Sequence, residues 1–122
     1  MSSQTAWLLQ TRRASLTRHA LANPIFAQLV QLQHYVLFPT QFHHAYVWDG
    51  INALLSTCPG ATGVKTGFTG EAGYCLVFSA TNGAHHLIGA LLHDTDTDDN
   101  QRFLDARALL DWGFGLPTAP VS

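Results

Sequence analysis

The chain has 122 residues, of which 47% are hydrophobic and 11% charged, and its formal net charge is −2 with the histidines neutral. This length suits one domain with a real core, and the hydrophobic fraction argues against disorder. The slight acidic excess argues against electrostatic nucleic-acid binding, which usually needs a basic patch. Because typical domains carry about 25% charged residues, we expect some apolar surface here to need a partner.

The N-terminal third predicts two helices followed by an extended segment. Apolar residues recur at three- and four-residue steps over residues 5–22, which indicates an amphipathic helix. Asn23 and Pro24 then supply an N-cap and a proline at the first helical position, which begin a second helix. Its predicted buried stripe comprises Ile25, Phe26, Leu29, Val30 and Leu32. Residues 34–48 are rich in aromatic and β-branched side chains, which favours extended structure around Pro39.

The middle of the chain predicts an antiparallel meander of three strands. Asp49 is expected to cap a short helical turn that ends at Pro59-Gly60. Three segments rich in strand-forming residues follow, and they span Ala61–Thr69, residues 74–81 and residues 85–92. Asn82-Gly83 between the last two predicts a tight hairpin, because a type I′ turn needs positive φ at both central residues.

The C-terminal part predicts one more helix and a loose tail. The polar run at residues 94–100 places carboxylates at the helix start, where the macrodipole favours them. The expected inner face of this helix comprises Phe103, Leu104, Ala106, Leu109 and Leu110. Large aromatic residues are also expected in the core, namely Trp7, Phe26, Phe103, Trp112 and Phe114. The chain thus divides into a helical and extended segment (1–48), a strand-and-helix unit (49–115) and a tail (116–122).

The sharpest local feature is the triplet Lys65, Thr66 and Gly67 on the first predicted strand of the meander. The ammonium group supplies charge, the hydroxyl donates a hydrogen bond, and the glycine leaves the backbone open to an extended ligand. This combination is suited to binding a substrate carboxylate. Taken alone, three residues are equally well explained as an exposed lysine and threonine beside a turn.

The run Gly63-Val64-Lys65-Thr66-Gly67-Phe68-Thr69-Gly70-Glu71-Ala72-Gly73-Tyr74-Cys75-Leu76-Val77 resembles the signature strand and hairpin of the D-alanyl-D-alanine carboxypeptidases. These are the low-molecular-mass penicillin-binding proteins of the serine β-lactamase-like superfamily. The resemblance spans roughly residues 20–115 and includes Arg102 and the run from Leu109 to Phe114. It implies an α+β, partial β-lactamase/transpeptidase-like fold with a three-stranded antiparallel meander, a C-terminal helix and preceding helices.

The resemblance also implies chemistry for four residues. Lys65 would be the catalytic cation and would place positive charge near the terminal carboxylate of the substrate. Thr66 would hydrogen-bond that carboxylate, and Gly67 would permit close approach. The backbone N–H of Phe68 would be one of two oxyanion-hole donors in a serine acyl-transfer reaction. The implied substrate is a peptidoglycan peptide ending in D-Ala-D-Ala, or a β-lactam, in the periplasm or cell envelope, and no cofactor is implied.

The sequence departs from the family at its other two motifs. Lys65 is the only lysine, so a separate Ser-x-x-Lys cannot exist, and none of the six serines begins a Ser-x-Asn. We therefore expect a partial domain without the nucleophile, with no turnover by this chain alone and with a missing N-terminal half as its partner. The alternatives are a non-catalytic remnant or module that binds peptides or a partner protein, and a truncated product without function.

Other residue groups have plainer interpretations. His85 and His86 are adjacent on a strand and point to opposite faces, so no metal site is expected. The acidic run at residues 94–100 lacks the glycine and the glutamate of a calcium loop. Cys58 and Cys75 are expected to be free thiols that pack in the interior. The N-terminus shows no secretory signal pattern, and no apolar run reaches the length of a membrane helix.

Overall fold

The computed structural model describes residues 3–115, with side chains from residue 9 onward. The elements in chain order are α1 (Ser3–Leu21), α2 (Pro24–Val30), β1 (His34–Leu37), β2 (Tyr46–Asp49), α3 (Leu54–Thr57), β3 (Ala61–Thr69), β4 (Gly73–Asn82), β5 (His85–Thr95) and α4 (Gln101–Gly113). This is an α+β arrangement, as the sequence predicts. Within the described residues, no helix combines the length and hydrophobicity needed to cross a membrane.

The predicted meander is present as an antiparallel sheet with the strand order β3-β4-β5. Lys65 lies opposite Val77, which in turn lies opposite Ala90, and these pairs define the register. The turn before β5 is tight, but it is not the predicted type I′ turn centred on Asn82-Gly83. Asn82 pairs with His85, so the central residues are Gly83 and Ala84, and Gly83 has a positive φ of +61° whereas Asn82 does not. β3 and β5 are the two edges of this sheet.

One face of β4 supplies the core. Leu76, Phe78 and Ala80 are buried there, together with Leu54, Cys58, Phe103, Ala106 and Leu110 from α3, α4 and the segment between α3 and β3. Ser79, which alternates to the other face of β4, is also fully buried. On the remaining surface of the sheet, α1 packs along β5 and α2 packs along β3. Both faces of the central strand are therefore covered.

Residues 34–49 form a separate two-stranded antiparallel hairpin, β1–β2, in which Tyr35 lies opposite Trp48. The predicted capping role of Asp49 is wrong, because Asp49 ends β2 and its carboxylate pairs with the His34 imidazole at 2.5 Å. The N–H of Leu54 instead donates to the side-chain oxygen of Asn52. Asp49 therefore belongs to the β1–β2 pair and not to the start of α3.

The predicted apolar stripe of α2 is not buried. No residue of α2 is fully covered, and Ile25 and Leu29 are exposed. In α1, Leu16 is likewise exposed, whereas Thr17 is buried and donates its hydroxyl hydrogen to the Arg13 carbonyl. Within the part of the chain that the structure describes, these apolar side chains stay more than half exposed.

The C-terminal elements also depart from prediction in detail. β5 continues to Thr95, so the acidic run begins inside a strand instead of at a helix start. Leu104 and Leu109 of α4 are exposed although they were expected in the inner face. Trp112 is 76% exposed, which overturns its predicted place in the core. The side chain of Trp7 and the tail at residues 116–122 lie outside what the structure describes.

Candidate functional site

The triplet that carries the predicted site lies on β3, at one edge of the sheet. β3 pairs with β4 on one side, and no other described strand pairs with its outer edge. An open edge offers backbone N–H and C=O groups to an extended peptide, which can add as a further strand.

Lys65 and Thr66 leave β3 on opposite faces, because successive side chains of a strand alternate. Lys65 is exposed, and its ammonium donates to the carbonyl oxygen of Thr66, so the charge lies beside the backbone of residue 66. No described acidic side chain forms an ion pair with Lys65. Thr66 is only 7% exposed, and its hydroxyl makes no hydrogen bond with any described residue. The Lys65 ammonium is therefore available to a ligand on the exposed face of β3, whereas the Thr66 hydroxyl lies on the buried face and does not point to the same side.

Gly67 and Phe68, the next two residues of β3, differ in their surroundings. Gly67 borders open space, because a Cβ atom built on it would meet nothing within 4 Å. Phe68 is about half exposed and stacks on its cross-strand partner Tyr74, with ring centroids 4.2 Å apart. The strand is thus anchored at Phe68 and left unobstructed at Gly67.

The open space beside Gly67 allows a direct test of whether a ligand approaches β3 there. Because its backbone lies outside the left-handed region, Gly67→Ala is expected to leave folding stability unchanged or raised by up to about 1 kcal/mol. We expect it to block an extended peptide at the edge of β3, measured as lost peptide binding by calorimetry. Gly70→Ala in the following turn is the matched control, since Gly70 also borders open space. Equal peptide binding by both variants would contradict a ligand at Gly67.

A buried arginine holds β3 next to Gly67. The Arg102 side chain is 4% exposed, and its Nη1 donates to the carbonyl oxygens of Gly67 and Cys75 at 3.1 Å each. Its Nη2 pairs with the Asp99 carboxylate at 2.5 Å. One guanidinium therefore ties α4 to both β3 and β4 at the end of the triplet.

Aromatic rings complete the surroundings of Arg102. The guanidinium carbon lies 5.0 Å from the ring centroid of Tyr74 and 4.8 Å from that of Phe103, within the range of cation–π contact. Composition and spacing gave this residue no role of its own. The available signal was local: an arginine beside Phe103 on the apolar side of a helix, with Asp99 three residues earlier.

A pair of carboxyl groups links β5 to α4. The pKa of Asp94 is raised to about 7, first by burial and then by the adjacent Asp105 carboxyl. Asp94 Oδ2 is buried and receives no hydrogen bond from any described donor, while Asp105 accepts one from Gln101 Nε2 at 2.9 Å. The two carboxyls can hydrogen-bond only when one of them carries a proton.

The described histidines and cysteines form neither a metal cluster nor a reactive thiol centre. Among the described residues, no three side chains of His, Cys, Asp or Glu come close enough to hold a metal ion. His86 instead shares a hydrogen bond with the Thr81 hydroxyl at 2.8 Å. Both cysteines are free, and burial raises the pKa of the Cys58 thiol, with Arg107 opposing the shift. A protonated, buried thiol is a poor nucleophile.

A sequence profile of the family described as D-alanyl-D-alanine carboxypeptidase matches residues 14–96. This chain belongs to that family. The D-alanyl-D-alanine carboxypeptidase of Streptomyces sp. (strain K15) is 45% identical over 69 residues, which are 57% of this chain and 23% of the relative. A second carboxypeptidase, from Mycobacterium tuberculosis, is 35% identical over 106 residues, which are 85% of this chain and 36% of the relative.

Solved structures of this carboxypeptidase family agree with the fold. The crystal structure of the Streptomyces K15 DD-transpeptidase superposes with a TM-score of 0.75 and 36% identity, over 84% of this chain and 40% of that one. The D-alanyl-D-alanine carboxypeptidase from M. tuberculosis gives 0.68 and 30%, over 87% and 40%. The predicted partial β-lactamase/transpeptidase-like fold is confirmed. The chain spans well under half the length of these relatives.

Proposed function

We propose that this member of the carboxypeptidase family binds the C-terminal carboxylate of a D-Ala-D-Ala stem peptide of peptidoglycan, or of a β-lactam, along the outer edge of β3. The observation that carries the proposal is the unneutralised ammonium of Lys65 beside the backbone of Thr66, on an open strand edge. The open space at Gly67 supports it, since a peptide backbone can approach there without steric conflict.

The proposed roles follow from the chemistry of these groups. The substrate carboxylate is proposed to accept a hydrogen bond from the Lys65 ammonium, and charge-assisted bonds of this kind are about twice as strong as neutral ones. The proposed second bond, from the Thr66 hydroxyl on the buried face, requires the carboxylate to reach past the strand edge. The N–H of Phe68 is proposed to donate to the oxyanion that forms when the scissile carbonyl is attacked. Arg102 is a positioning residue, because it holds the Gly67 carbonyl and not the substrate.

The attacking group in this proposal comes from outside the 122 residues. Acyl transfer of the serine type needs a nucleophile and a base, and neither Ser-x-x-Lys nor Ser-x-Asn occurs in this sequence. The relatives are much longer than this chain, which leaves space in the family's domain for an N-terminal part that carries those motifs. We propose that the chain acts together with such a part, at the cell envelope.

Removing the charge of Lys65 tests the binding step. Lys65→Met is expected to weaken the binding of a D-Ala-D-Ala peptide by about tenfold to a hundredfold, because a hydrogen bond to a charged group contributes about 1.5–3 kcal/mol. Isothermal calorimetry measures the change, with Arg12→Met on the exposed side of α1 as the control for net charge. Equal loss in both variants, or no binding by the wild-type chain, would refute the assignment.

A mixing experiment separates an enzyme part from a binding module. The second candidate function is a non-catalytic peptide-binding module. Two observations favour it: the outer edge of β3 is unpaired among the described strands, and the sequence contains no nucleophile motif. The chain is mixed with the N-terminal part of the Streptomyces K15 enzyme, and D-alanine release and β-lactam acylation are followed. Activity on mixing supports the enzyme part, whereas peptide binding without activity supports the module.

A further inference from the structure

The β1–β2 hairpin carries a surface that the proposed function does not use. Its two strands pair with each other, and no other described helix or strand packs against either of them extensively. The base of the hairpin is held by the Gly50 N–H, which donates to the Gln33 carbonyl at 2.8 Å, and by Gln33 Nε2, which donates to the Leu55 carbonyl. Since isolated hairpins are marginally stable, this one depends strongly on its own side chains.

Those side chains form a row of rings along one face. Trp48 lies between Tyr35 and Tyr46, with centroid distances of 5.9 and 5.5 Å, and it is nearly parallel to Tyr46 at 15°. His43 continues the row at 6.1 Å from Tyr46. Tyr35, Tyr46 and Trp48 are each roughly half exposed, so the row leaves apolar ring surface open to solvent.

A polar cleft adjoins this row at the tip of the hairpin. It encloses about 360 Å³ and is lined by Thr40, Gln41, Phe42, His43, His44 and Tyr46. Thr40 and His43 form an isolated β-bridge that closes the tip, and the Thr40 hydroxyl accepts from the Phe42 N–H. Tyr46 belongs to both the row and the cleft, which makes them one continuous surface.

The composition of this surface selects a class of ligand. Residues 34–49 contain no lysine or arginine, which argues against phosphate-bearing ligands such as nucleic acid. Amide, hydroxyl and imidazole groups beside the rings argue against a purely apolar partner, because burying them unpaired is costly. A sugar ring matches both features, since its C–H face packs on an aromatic ring while its hydroxyl rim hydrogen-bonds to polar groups.

We infer that the ring row and tip cleft bind an uncharged glycan, with pyranose rings stacked on Tyr46 and Trp48 and their polar groups directed at the cleft. The site itself stands on the hairpin alone. The identity of the ligand as the N-acetylated, β-1,4-linked glycan strand of peptidoglycan rests on the proposed function. Such a site would hold the polymer whose stem peptides the edge of β3 is proposed to bind.

A fluorescence titration with the β-1,4-linked tetramer of N-acetylglucosamine tests this inference on the intact chain. Saturable quenching is expected, and Trp48→Ala or Tyr46→Ala should weaken binding roughly fivefold to tenfold, as expected for loss of one stacking ring. Trp48→Phe keeps a ring and should bind nearly as the wild type. Trp112→Ala, which removes the exposed tryptophan of α4, is the matched control and should leave the affinity unchanged.

The outcomes separate this inference from the proposed function. If the tetramer does not bind, or if Trp112→Ala weakens binding as much as Trp48→Ala, the glycan site is refuted, whatever the D-Ala-D-Ala peptide does. If Trp48→Phe also loses binding, the effect is not ring stacking and the inference fails. Should the hairpin rings be shielded only on mixing with the N-terminal part of a relative, the surface is a protein interface instead.

Discussion

Arg102→Met is expected to lower the free energy of unfolding by about 3 kcal/mol, a large effect for a single substitution. The change leaves the carbonyls of Gly67 and Cys75 without their donor in a buried setting, and each unsatisfied group costs about 1–3 kcal/mol. The two aromatic contacts of the guanidinium are lost as well. Arg102→Lys is not expected to rescue stability, since one ammonium lacks the forked geometry that reaches all three acceptors.

Urea unfolding followed by circular dichroism measures this effect, with Arg107→Met as the matched control on the same helix. Arg107 is exposed and donates a single hydrogen bond to the Thr57 carbonyl, so its loss is expected to cost less than about 1 kcal/mol. If the two variants unfold at the same urea concentration, Arg102 does not hold the strands together. Arg102 donates a hydrogen bond to the Gly67 carbonyl and so fixes the position of β3 beside the proposed ligand. We therefore expect Arg102→Met to weaken peptide binding also under conditions where the variant is folded.

Because Asp94 of β5 and Asp105 of α4 share a proton, we expect the free energy of unfolding to fall as pH rises. The pKa of Asp94 is about 7 in the folded chain, above its ordinary value of 3.8, so the folded state binds the proton more tightly than the unfolded state. The contribution of this proton is fully present below about pH 4 and is lost as pH rises through 7. We expect a loss of about 1–2 kcal/mol, less than the full shift implies, because solvent screens a partly open carboxyl.

Asp94→Asn isolates the contribution of this shared proton. Asparagine stays neutral and can donate to Asp105, so the variant is expected to gain stability relative to the wild type as pH rises from 5 to 8. Urea unfolding at several pH values measures the difference. Glu71→Gln in the exposed turn before β4 is the control, and its difference from wild type should not vary with pH. A constant difference for Asp94→Asn would disprove the shared proton.

Local sequence signals were enough to predict the three strands of the meander and the place of the hairpin turn between β4 and β5. Asn82-Gly83 correctly marks the hairpin between β4 and β5, although the observed turn is centred one residue later, on Gly83 and Ala84. The Asn23 cap is confirmed, because its side chain accepts from the N–H groups of Ile25 and Phe26 as predicted. These features depend on residues close together in the sequence.

Features that depend on distant partners could not be predicted in this way. The apolar residues Ile25, Leu29 and Trp112 look like core residues, but burial needs a covering surface that none of the described elements supplies. Arg102 reaches a carbonyl 35 residues away in sequence, a contact that only the packing of α4 on the sheet creates. For the site, the Lys65-Thr66-Gly67 triplet could be identified from the sequence, and the resemblance to the family suggested the role of each residue.

The β5 edge of the sheet is open to pairing with another extended chain in solution. β5 has eleven residues, pairs only with β4 among the described strands, and carries no lysine, arginine, proline or acidic side chain from His85 to His93. Proteins usually protect such margins with charge or bulges, since a bare one templates the addition of another chain. An extended segment can therefore pair along residues 85–91 of β5, before the irregularity in its pairing with β4, and we expect association between chains to increase with concentration.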